Sequence, residues 1–179
     1  MKKRFIKSPI FLAFLVFVVI MSILFRDQLK RIFIFIGLSA ITGVAVFINY
    51  KSKINIDFTP VFFFSILFAY SMGTEISFLF ILFAAVIPSL ISGEVDAGYF
   101  PVLLVFLVIV FYSTKVLLLF DLVKGGIILA IIFGLFHMIL DTIFGGPFAK
   151  EFMSFVGFII INTFYFTQLS DLFLKLMAF

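Results

Sequence analysis

"PVLLVFLVIVFYSTKVLLLF", residues 101–120, runs for twenty residues with one charged side chain, Lys115. A helix of about 20 predominantly apolar residues spans a bilayer core, whereas a membrane strand alternates apolar and polar residues over about ten. This stretch does not alternate, so it reads as a membrane helix. Working outward, seven apolar stretches come near the spanning length, at residues 9–25, 32–49, 58–72, 76–92, 99–120, 127–144 and 152–176. The third is short, and is expected to sit deep, to lie beside thinned membrane or to be partly re-entrant. Composition agrees: 65% of the 179 residues are hydrophobic and 12% charged, against roughly 25% charged in soluble domains. The expected fold is all-α, a polytopic transmembrane helical bundle, multi-pass in the cell membrane and in contact with its lipids. Six core helices form one domain, residues 32–179, behind a basic N-terminus with its own hydrophobic segment, residues 1–31.

Prolines and glycines punctuate the runs where helices start or stop. Ser8-Pro9, Thr59-Pro60 and Phe100-Pro101 read as helix starts, and Gly145-Gly146-Pro147 as the stop of the sixth run. Pro88 is expected to kink or end its segment. Gly73-Thr74-Glu75 is so short a link that the third and fourth segments must form an antiparallel hairpin. "MKKRFIKSP" before the first segment has the basic front of a signal peptide, but "MSILFRDQ" offers no small-residue cleavage site, so the segment is expected to be retained. Its placement decides topology. Basic residues count seven against six across the membrane if it crosses, and ten against three if it turns back, as the positive-inside rule prefers. Both placements stay open.

Ionisable groups at membrane depth need a partner, water or an interface, because burying one costs about 2.5 to 3.5 kcal/mol on insertion scales. His137, the one histidine, lies near the middle of its run, with Asp141 one helical turn later on the same face. The carboxylate could fix the imidazole tautomer or share a proton with it. Two readings stand: a histidine bonded inside the bundle beside a helix-end aspartate, or a ligand- or proton-handling pair. Zinc wants three or four N, O or S ligands, so with one histidine and no cysteine no metal site is expected. Asn162 and Tyr165 belong to the most polar long helix and are further ligand-binding candidates; buried amides equally bind neighbouring helices. Lys115 is read as snorkelling to the interface, and Asp121 with Lys124 as a surface pair capping a turn. Glu94 and Asp96 lie in a short acidic loop that could attract cations or cationic solutes and is read first as a solvated loop. Ser39 and Gly43, four apart on the second segment, form a small-residue surface suited to internal packing or partner docking.

No G-x-x-x-x-G-K, G-x-S-x-G or H-E-x-x-H pattern occurs, so an enzyme is not expected, and neither a cofactor nor a nucleic-acid partner is indicated. From Asp57 the order "DFTPVFFFSILFAYSMGTEISFLFILFAAVIPSLISG" gives a proline entry, a short helix, a glycine-centred turn and a helix closing at Gly93. This resembles the middle of the substrate-binding S-components of energy-coupling-factor transporters, and the segment order over residues 32–176 fits that family. The rod-shape membrane protein MreD has a similar layout. The first resemblance implies a subunit that captures a vitamin-like solute or ion and docks on a transmembrane coupling protein with ATPases, Ser39 and Gly43 matching the family's docking pair in kind. The second implies a non-catalytic scaffold that binds protein partners.

Overall fold

The computed structural model describes residues 26–52, 58–93 and 95–177; the segment at 9–25, with Ser8-Pro9 and Glu94, lies outside them. The described residues form six helices and no strand: α1 (Arg26–Ser52), α2 (Val61–Ser71), α3 (Thr74–Ser92), α4 (Tyr99–Leu119), α5 (Leu122–Ile143) and α6 (Phe148–Met177). All except α2 are long and apolar enough to cross a membrane. The chain is therefore a multi-pass membrane protein of the all-α class. Exposed apolar side chains such as Leu104, Phe111, Leu118, Phe136 and Ile160 are what a lipid-facing surface requires.

By contacts the chain divides inside α1, into Met1–Gly37 with Phe179 and Leu38–Ala178. The described part of the first unit is the start of α1. It is helical from Arg26, with Asp27 in its first turn, where the partial positive charge of a helix N-terminus favours an acid.

The second unit is organised around α2. Every residue from Val61 to Ala69 is buried; a helix too short to span has unpaired terminal backbone groups at membrane depth, which are tolerated only inside protein or beside a water-lined space. Its eleven residues span about 16 Å, roughly half of a hydrocarbon core. Phe62 stacks on Phe106 of α4 and Phe133 of α5, with centroids 5.7 and 5.4 Å away, and meets Phe158 of α6 edge-on at 5.5 Å. Phe133 sits at the middle of α5, and Phe158 lies ten residues into α6, so α2 starts near mid-depth. It then descends beside α6, with Phe63 on Phe166 at 5.1 Å and Phe64 on Phe173 at 4.9 Å. The deep placement expected of the short segment is what the structure has.

Gly73, at φ 100°, makes the expected hairpin turn in a left-handed conformation that glycine adopts readily. The Ser77 hydroxyl donates to the Ser65 carbonyl at 2.7 Å, and Phe80 packs on Phe64 and Phe68. Pro88 does not end α3. A π-turn over Leu82–Val86, with the Ile87 N–H donating to the Leu82 carbonyl, carries the helix past the missing donor, and it runs on to Ser92. Against this stretch packs the small-residue face of α1. A Cβ on Gly43 would lie 3.3 Å from Pro88 Cγ and 3.4 Å from the Phe83 carbonyl oxygen. Ser39 is 7% exposed and Thr42 fully buried. Ser39 and Gly43, expected to serve internal packing or partner docking, are turned inward, and the close approach at Gly43 is made by α3.

A second seam, on α5, went unread in the sequence. Gly126, Ala130 and Gly134 recur every four residues and are all buried. A Cβ on Gly126 would run into the Phe166 ring, and one on Gly134 would lie 2.9 Å from the Phe155 ring. Small residues at this spacing let α6 bring its aromatics against the α5 backbone. α5 begins at Leu122, ahead of the expected residue 127, because Asp121 caps it: the Lys124 N–H donates to Asp121 Oδ1 at 2.8 Å and the Lys124 ammonium lies 3.2 Å from Oδ2. The backbone and then the side-chain hydrogen bond from Lys124 hold this carboxyl below its ordinary 3.8. Lys115 is exposed as expected, its ammonium 5.2 Å from the centre of the Tyr112 ring.

Two outcomes follow. Gly126→Ala overpacks the α5–α6 seam and is expected to cost about 1–3 kcal/mol, read as a lower unfolding midpoint in detergent. Gly37→Ala, with nothing within 4 Å of the added Cβ, should leave the midpoint unchanged or raise it. Because the folded Asp121 carboxyl titrates below its unfolded value, the stability it contributes is present above 3.8 and lost as pH falls through the folded value. Asp121→Asn should flatten that acid limb of the melting curve, and an unaltered limb would remove Asp121 from it.

Candidate functional site

Where α2 stops short, the bundle keeps a space. A cavity of about 700 Å³ lies between the other helices, above the entry of α2, and all six helices contribute to its lining. Small-molecule sites typically have volumes of about 300–1,000 Å³. The floor is the ring cluster of Phe62, Phe106, Phe133 and Phe158. Asn49 and Tyr50 of α1, Ser89 of α3, Tyr99 of α4 and Ser154 of α6 add polar wall groups. Its charged lining is Asp96, Asp141, Glu151 and Lys150, a formal charge of −2 with His137 neutral.

His137 and Asp141 come together as their spacing implies, His137 Nε2 lying 3.1 Å from Asp141 Oδ2. The imidazole also stacks on Phe133 at 5.6 Å, which ties the polar pair to the aromatic floor. His137 is not at mid-helix. Since α5 starts at Leu122, its middle falls at Phe133, and His137 lies six residues before the last helical residue, Ile143, about 9 Å from that end. Both side chains are about one-third exposed, at 38% and 32%, and face the cavity.

Asn162 and Tyr165 do not join them. Asn162 is 1% exposed and its Nδ2 donates to the Phe158 carbonyl at 3.0 Å. Tyr165 donates its hydroxyl to the Phe58 carbonyl at 2.8 Å, holding the chain just before α2. The reason is register. α6 presents residues 150, 151, 154, 155 and 158 to the cavity, a helical stripe of i, i+3 and i+4 steps. One turn further on, α2 fills the space.

Two carboxylates take their place. Asp96, read as part of a solvated loop, lines the cavity while its Oδ1 accepts the Tyr99 N–H at 3.0 Å. Glu151 was not singled out from the sequence at all, and it is 8% exposed. It folds back against Gly146, where an added Cβ would lie 2.8 Å from Glu151 Oε1. The "GGP" stop signal could have flagged it, since it forces α6 to start beside the end of α5 and brings its first turn to Asp141. Among the described residues no group of three or more His, Cys, Asp or Glu is placed to hold a metal ion.

The arrangement can bind and orient a small polar molecule over an aromatic surface. Tyr165→Phe tests the anchoring of α2: losing the bond to Phe58 should cost about 1 kcal/mol, seen as a lower unfolding midpoint, and an unchanged midpoint would show that the anchor is idle. Comparison with protein-family models, curated proteins and solved structures gives no significant match, so the site itself is the ground for a functional reading.

Proposed function

We propose that this protein is the solute-binding subunit of a membrane transporter, placed in the cell membrane, capturing a small solute in the cavity and docking on an ATPase-coupled membrane partner. The observation that carries the reading is the cavity itself: about 700 Å³, floored by aromatic rings and rimmed by His137, Asp141, Glu151 and Asp96. A few convergent polar groups over an apolar surface are what fixes a ligand's orientation. A scaffold of the MreD kind would have its intramembrane polar groups bonded to neighbouring helices alone. Asn162 donates to Phe158 of its own helix and Tyr165 to Phe58 ahead of α2, whereas the His137–Asp141 pair lines open space, which favours the transporter.

The reading involves binding without bond chemistry.

Native mass spectrometry of the gently purified protein should show a retained small molecule, and affinity purification from native membranes should recover an ATPase-linked partner. His137→Ala and Asp141→Ala should each weaken solute binding about tenfold, the effect of losing one charge-assisted hydrogen bond. If nothing is retained and no ATPase-linked partner is recovered, the transporter reading fails.

A further inference from the structure

The cavity wall contains a largely buried carboxylate that no hydrogen bond from the described residues reaches. Glu151 is 8% exposed and faces the cavity. Its partner, in a loose ion pair, is the half-exposed Lys150 ammonium, 3.8 Å away. A carboxylate held on the cavity wall by so loose a pair can still take short, charge-assisted bonds from a ligand that brings positive charge and N–H donors.

Three further observations define that ligand. The charged lining is negative in sum, with Asp96, Asp141 and Glu151 against Lys150. No three acidic or histidine groups among the described residues are close enough together to coordinate a bare metal ion, and a volume of about 700 Å³ is far larger than one ion fills. The floor offers the faces and edges of Phe62, Phe106, Phe133 and Phe158, surfaces that stack flat rings and attract cations.

We propose that the cavity takes an organic cation with an aromatic body and an N–H-bearing charged end, an ammonium or amidinium, its charge at Glu151 flanked by Asp141 and Asp96 and its ring on the phenylalanine floor. This assignment rests on the solute-binding reading above and narrows its substrate class.

The chain has no tryptophan, so indole fluorescence reports a bound probe directly. Tryptamine, its neutral analogue tryptophol and its anionic analogue indole-3-propionate are titrated by fluorescence anisotropy into the full-length protein in detergent. Tryptamine should bind saturably and about tenfold or more tighter than either analogue, the difference one charge-assisted contact makes. Glu151→Gln should abolish that preference while leaving tryptophol binding unchanged. Asp96→Asn, at an exposed position where Asn keeps the acceptor for Tyr99, should reduce it several-fold and serves if Glu151→Gln fails to fold. Equal or tighter binding of tryptophol or indole-3-propionate overturns the cation assignment and leaves the solute cavity standing. Binding of none of the three overturns both, and tryptamine preference retained in both variants overturns the role of the carboxylates.

Discussion

The burial of α2 on every face is the constraint from which the rest of the unit follows. A helix of eleven residues is too short to cross the hydrocarbon core, so its terminal backbone groups need protein around them, and at about 16 Å it fills only half of the depth its neighbours span. Surrounding it over one half of the bundle leaves the other half without a centre. The cavity is that missing half-helix. Its floor is formed by the first rings of α2 together with the rings that close over them, so the hydrophobic core and the cavity floor share Phe62, Phe133 and Phe158.

Close packing around a phenylalanine-rich centre requires small residues opposite the large ones. In a bilayer helices gain little from burying apolar surface against each other, since lipid is as apolar as leucine, and contact depends on shape. Gly126, Ala130 and Gly134 meet this need on α5, and Gly43 meets it on α1 against the π-turn and Pro88 of α3. The π-turns at Leu82–Val86 and Tyr165–Leu169 both fall where a bulky element is accommodated: Pro88 in one case, the fully buried Phe166 in the other. The same contacts hold α5 and α6 in a fixed register. That register delivers His137 and Asp141 from one helix and Glu151 from the next to the same wall.

Helix order, the tight hairpin at Gly73, the stop at Gly145 and the cap at Asp121 were all legible, because each depends on local chemistry: run length, a missing donor, a left-handed glycine, a short acid before a helix. The start of α5 was misjudged by five residues, since a criterion of pure apolarity excludes Lys124 and the paired glycines that the Asp121 cap brings into the helix. That shift moved His137 out of the helix middle and toward the cavity mouth.

The sequence alone determined the class of the protein, because 65% hydrophobic residues in runs near the spanning length have no folded solution except membrane helices. It also determined that His137 and Asp141 meet, because they share one helix face. The tertiary structure decided which other polar groups meet them. Asn162 and Tyr165 turn to backbone carbonyls and the small face at Ser39 and Gly43 turns inward, while Glu151, unread in the sequence, and Asp96 of the acidic loop line the cavity. The physical reason is that convergence depends on the depth at which α2 begins and on the rotation of α6 against α5, and both are set by packing between helices distant in the chain.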